Sequence, residues 1–172
     1  MSLVHMYYRI RSWEEEVTMK YVALMSVFVL LAITCVRPTI DLEAEIAAVE
    51  IVLDEYVKSV ETEDMELYGK LVMHDTTMVN FGGFGKPIVG WTALEKVMDG
   101  QNEMLSETKI EVSGLQIHIS ADGKLAWATC LWDLKAMMAE NPVELPVRCT
   151  WVLEKHEAGW KIVHFHKSMP AG

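Results

Sequence analysis

From Ser106 to its end the chain shows no helical spacing of apolar residues. It runs instead through four alternating segments, at residues 107–119, 124–138, 144–156 and 160–168. Three turn sequences separate them: Ala121-Asp122-Gly123, Glu140-Asn141-Pro142 and Glu157-Ala158-Gly159. Long alternating segments joined by short turns pair as antiparallel neighbours, so the second half is expected to be one antiparallel meander. The first half has a different period. From Asp41 onward Leu42, Ile46, Val49, Val52, Leu53, Tyr56, Val57 and Val60 recur every three or four residues, which predicts an amphipathic helix capped by Thr39 or Asp41. Thr62-Glu63-Asp64 breaks it, and Met65, Leu67, Tyr68, Leu71 and Val72 predict a second, shorter helix ending at His74-Asp75. A strand over 76–81, a turn at Gly82-Gly83-Phe84-Gly85 and a third helix opening at Gly90-Trp91-Thr92 complete the order. Three helices followed by a meander is an α+β arrangement.

The length, 172 residues, suits one domain with its own core. The net charge is −10 and the Lys and Arg residues are scattered, which disfavours nucleic acid or an anionic membrane surface as a partner. Twelve Met and six Trp, many on the predicted strands, point to an adaptable apolar interior.

The N-terminus reads separately. Met19-Lys20 precedes the uncharged run Tyr21 to Val36, too short to span a bilayer and typical of a secretion signal, so residues 19–35 are assigned as a signal peptide. Its end, Leu31-Ala32-Ile33-Thr34-Cys35, resembles a bacterial lipoprotein signal, with Cys35 as the lipidation candidate and Thr34 as the departure from that pattern. Membrane attachment is expected only through this signal or its lipid, on an exported protein of the periplasm or cell envelope. The acidic Glu14-Glu15-Glu16 before the signal makes residues 1–18 a mis-assigned or disordered extension, with translation starting at Met19. Residues 36–40 form a linker, and 41–170 the domain.

Alternation puts Trp160, Ile162, His164 and His166 on one face of the last strand, and Lys161, Val163, Phe165 and Lys167 on the other. That strand, Trp160-Lys161-Ile162-Val163-His164-Phe165-His166-Lys167-Ser168, resembles the last strand of the association domain of calcium/calmodulin-dependent protein kinases and of SnoaL-like proteins. Leu115-Gln116-Ile117-His118-Ile119-Ser120-Ala121-Asp122 and Asp64-Met65-Glu66-Leu67-Tyr68 are similar to other segments of the kinase domain. The resemblance implies the nuclear-transport-factor-2-like (cystatin-like) fold, a cone of strongly bent, mostly antiparallel sheet closed by three N-terminal helices. It implies no single activity. Tyr68 matches a pocket tyrosine of the kinase domain and Lys167 stands for a pocket arginine, while Leu131 and Trp151 replace two more, so the expected pocket is more apolar.

Together, parity and resemblance place Tyr56, Tyr68, Asn80, Trp91, Trp127, Thr129, Leu131, Trp151, Val163, Phe165 and Lys167 around a small-molecule pocket. Asp133 on the same face is the candidate general base for isomerase, cyclase or dehydratase chemistry, with Tyr56 or Tyr68 as donor. The opposite face, with Cys130, Trp132, Arg148, Thr150, His164 and His166, is the expected homodimer interface. Cys130 and Cys149 are then opposed and read as buried free thiols. No cofactor or metal is expected, because His118, His164 and His166 lack carboxylates or thiols at ligand spacing. The expected function is therefore an exported domain binding a small, mostly apolar molecule; a non-catalytic oligomerisation or interaction module is the alternative.

Overall fold

The computed structural model describes residues 20–21 and 40–170. The chain separates into two compact units, Met1–Thr39 and Ile40–Gly172, and the sheet with its three helices belongs to the second. The expectations for the extension, the signal and Cys35 fall outside the described residues.

The helices are α1 (Leu42–Glu61), α2 (Met65–Leu71) and α3 (Trp91–Met104). The Asp41 carboxylate accepts from Ala44 N at 3.1 Å and that of Asp64 from Leu67 N at 2.8 Å, so each of the first two helices starts on an acidic cap that also suits its dipole. Gly90 starts α3 at φ +80°, where an added Cβ would lie 3.0 Å from the Thr76 carbonyl oxygen. Only glycine fits that turn without strain. On α1 the buried residues Val49, Leu53, Tyr56, Ser59 and Val60 form one stripe against the sheet.

Short strands β1 (Val79–Asn80) and β2 (Ile88–Val89) pair with each other, while β3 (Leu105–Ile119), β4 (Leu125–Met138), β5 (Asn141–His156) and β6 (Gly159–Ser168) form an antiparallel meander in sequential order. The expected strand over 76–81 is shorter because the Asp75 carboxylate accepts from Thr77 Oγ1 at 2.6 Å and from Thr77 N, turning the chain before Val79. Phe81 continues as a parallel bridge to His166. The β4–β5 turn is only Ala139-Glu140, so β5 takes in Asn141 and Pro142. Both prolines of β5, Pro142 and Pro146, lie where β6 has already ended, since its pairing begins at Arg148. A proline without an N–H costs nothing on such a bare edge.

Register decides which side chains share a face, and here it corrects two expectations. Cys130 pairs with Cys149 and Trp132 with Val147. The even positions of β4, from Ala126 to Ala136, are therefore buried with Val147, Cys149, Trp151 and Leu153, and the odd positions face outward. The second correction lies in β6, where the partner of Val152 is His164 but that of Leu153 is Ile162. Val163 is the extra residue of a β-bulge, and the faces exchange there. Trp160 and Ile162 are consequently inside, together with Phe165 and Lys167.

Candidate functional site

The inner face of the sheet, α1 and α2 enclose a cluster of rings crossed by one line of polar atoms. Tyr56 and Tyr68, one on each helix, are fully buried with their hydroxyls 3.4 Å apart. Lys167 Nζ donates to the Tyr56 hydroxyl at 3.2 Å. The same ammonium lies 4.4 Å from the Trp132 ring centroid and 5.1 Å from those of Tyr56 and Phe165. The residue keeps some surface, but its charged end is enclosed by aromatic faces, which favour a cation. Loss of hydration outweighs this and pushes the Lys167 amine down to about 8. Burial holds both tyrosines above their ordinary range, as neutral donors.

The interior has more donors than acceptors. Asn80 is pinned by its Oδ1, which accepts from Phe165 N at 2.8 Å, and its Nδ2 has no partner. The indole nitrogens of Trp132 and Trp151 are likewise buried and unpartnered. Among the described residues no acidic side chain is buried. Unpaired buried donors carry a desolvation cost that an acceptor would remove.

Trp91, at the start of α3, covers the Tyr68 end. Its ring stacks on His74 at 3.9 Å and 13°, and on Tyr68 at 6.2 Å. His74 is itself tethered through Nε2, 2.9 Å from the Gly69 carbonyl oxygen. At the far end, Glu45 accepts from Trp160 Nε1 at 2.9 Å and pairs with Lys155, which closes the sheet onto α1.

Of the expected pocket residues, Tyr56, Tyr68, Asn80, Trp151, Phe165 and Lys167 meet in this interior, with Trp91 over it. Trp127, Thr129 and Leu131 do not; they lie on the outward face because of the β4 register. Val163 sits at the bulge. Asp133 is also outward, half-exposed and 3.7 Å from Lys135, so it is not placed to act as a base inside the cone. Trp132, expected at the interface, is instead a wall of the interior. Sequence reasoning missed Trp132, Cys130 and Ile162 as interior residues. The signal was present: even positions of β4 read Ala, Ala, Cys, Trp, Leu, Ala, whereas the odd ones include Asp133 and Lys135.

Arg148, Thr150, His164 and His166 lie on the outward face. His164 Nδ1 bonds the Val79 carbonyl, and Phe81 packs edge-on between the rings of His164 and His166. Both histidines thus have structural partners. The Arg148 guanidinium donates to the Met169 carbonyl at 2.8 Å. Trp127, stacked on His118 at 5.1 Å, and Leu131 are among the large apolar groups left uncovered there.

Comparison with known proteins fits this geometry. The family model described as a SnoaL-like domain matches residues 49–172. No curated protein matches the sequence. Among solved structures, a nuclear transport factor 2-like superfamily protein of Salmonella enterica superposes with a TM-score of 0.65 at 24% identity, over 73% of this chain and 92% of that one. The CaMKII hub of S. rosetta gives 0.61 at 24% identity, over 77% and 99%. A ketosteroid isomerase-like protein of Erwinia carotovora gives 0.63 at 15% identity, over 74% and 98%. At these identities the likeness concerns the fold.

Proposed function

We infer what this chain does from the premise that it belongs to the SnoaL-like domain family, within the nuclear-transport-factor-2-like superfamily: its interior binds a small, mostly apolar molecule that carries a hydrogen-bond acceptor. The observation that supports this is the surplus of buried donors, Lys167 Nζ, Asn80 Nδ2 and the Trp132 and Trp151 indoles, within a wall of aromatic rings. Rings supply apolar contact and the few polar groups supply orientation, the usual division of labour in small-molecule sites. Trp91 is the cover whose movement admits the ligand past Tyr68. The isomerase, cyclase or dehydratase class of activity stays within this reading, with a changed base. A partly neutral Lys167 amine takes the proton, and Tyr56 donates to the oxygen that gains charge.

The indole protons give the test, with acetophenone as the probe, a small aromatic ketone. Its addition should shift the NMR signals of Trp132 and Trp151 Nε1–H and leave that of outward-facing Trp127 in place. Shifts confined to Trp127 would place binding elsewhere and sink the reading.

A second reading concerns assembly. Trp127 and Leu131 stand uncovered on the outward face, and a second copy of the chain meeting that face would bury them. Arg148, Thr150, His164 and His166 border the same surface. Delivery outside the cytosol is proposed on the composition of residues 19–35 alone.

A further inference from the structure

Cys130, Cys149 and Lys167 occupy three adjacent positions in one row across β4, β5 and β6. Cys130 is the register partner of Cys149, and Cys149 that of Lys167. All three side chains therefore point into the interior, which reverses the expectation that the two thiols are opposed. Directly opposed residues of an antiparallel pair have Cα atoms about 4.5–5.5 Å apart, inside the range that a disulfide spans. The thiols are free and buried. A crevice of about 10 Å³ reaches Cys130 from the side of edge strand β3, between Val112, Leu115 and α1. That is room for a molecule of about the size of water.

We propose that this row is a dithiol site oxidised by hydrogen peroxide, with Cys130 as the attacking sulfur, Cys149 as the resolving one and Lys167 as the proton carrier. The pair is asymmetric in the required sense. The crevice beside β3 is lined by Cys130 and not by Cys149, so a small oxidant entering there meets the Cys130 sulfur first, and the Lys167 ammonium in the same row favours a thiolate there. The Cys130 thiolate attacks one oxygen of the peroxide, and the O–O bond breaks. The departing hydroxide takes a proton from the Lys167 ammonium, leaving Cys130 as sulfenic acid. Cys149 then gives its proton to the lysine amine and attacks the Cys130 sulfur. The S–O bond breaks and water leaves, with its proton returned by Lys167. One hydrogen peroxide is reduced, two thiols become one disulfide, and the lysine ends neutral. Besides the two sulfurs, the groups facing Lys167 are the Tyr56 hydroxyl on α1 and, beyond it, that of Tyr68 on α2. Burial keeps both protonated.

The test uses the full chain, reduced and then exposed to hydrogen peroxide near neutral pH, denatured, alkylated and cut with trypsin. Cleavage at Lys135 and Arg148 puts the two cysteines into different peptides, both distinct from that of Cys35. The expected product joins the Cys130 and Cys149 peptides through a bridge that dithiothreitol opens. Recovery of both as alkylated thiols, or of Cys130 as sulfinic acid beside a free Cys149, overturns the proposal. In Cys149→Ser, Cys130 should accumulate as sulfenic acid that dimedone labels; absence of label on Cys130 would contradict the assigned order of attack. Lys167→Met should slow bridging by about tenfold and move its pH dependence upward. An unchanged rate and profile removes Lys167 from the chemistry. Should Cys149→Ser not fold, the wild-type peptide map still decides.

Discussion

Lys167 is the residue at which stability and function pull against each other. Its ammonium is buried among rings with one neutral oxygen as partner, and the folded state holds its pKa at about 8 against 10.5 for a free lysine. Below pH 8 the lysine is charged in both states, and the folded protein bears the whole cost of desolvation. Between pH 8 and 10.5 the unfolded chain binds more protons, so this site makes stability rise with pH. Lys167→Met removes the cost. The variant should be more stable than the parent by on the order of 1–3 kcal/mol at neutral pH, and the gap should close as pH rises toward 10.5. Urea denaturation of both proteins at several pH values measures it. A gap that does not change with pH would mean that the amine is solvated.

At the scale of elements, the bulge at Val163 decides what the last strand can do. It lets Trp160 and Ile162 share the interior with Phe165 and Lys167, although strict alternation puts the two pairs on opposite faces. Deleting Val163 restores strict pairing and forces one pair out. The loss should exceed about 4 kcal/mol, in the range of a broken core rather than a trimmed contact. A cooperative thermal transition close to that of the parent would contradict this role for the bulge. The same strand shows how far the sequence is legible. Helix stripes, caps and the order of the strands follow from period and turn residues, because those signals are local. The face of β4 follows from its apolar even positions, but its register against β5 and the faces of β6 do not. Register is set by pairing across strands, and a one-residue insertion inverts everything beyond it. Tyr56, Tyr68, Phe165 and Lys167 are therefore legible as one group, while an assumed register of β4 against β5 puts Trp132 and Cys130 on the wrong side.

At the scale of the whole molecule, the sheet has one face against the helices and one with a partly apolar surface. Trp127, 42% exposed, and Leu131, 53% exposed, sit on the outward face of β4 with Thr129 between them. If a second copy covers them, Leu131→Asp should yield a monomer in sedimentation analysis with an unchanged circular dichroism spectrum. A parent protein that already sediments as a monomer at high concentration would end the dimer reading. Binding in the interior is independent of that result, since its groups all come from one chain. There the Lys167–Tyr56 line is the place where a ligand's acceptor is held. Isothermal titration of acetophenone into the parent and into Lys167→Met tests this most directly. The parent should bind, and the variant should bind at least about tenfold more weakly, through the loss of one charge-assisted hydrogen bond. Equal affinity for the two proteins, or none for the parent, would contradict it.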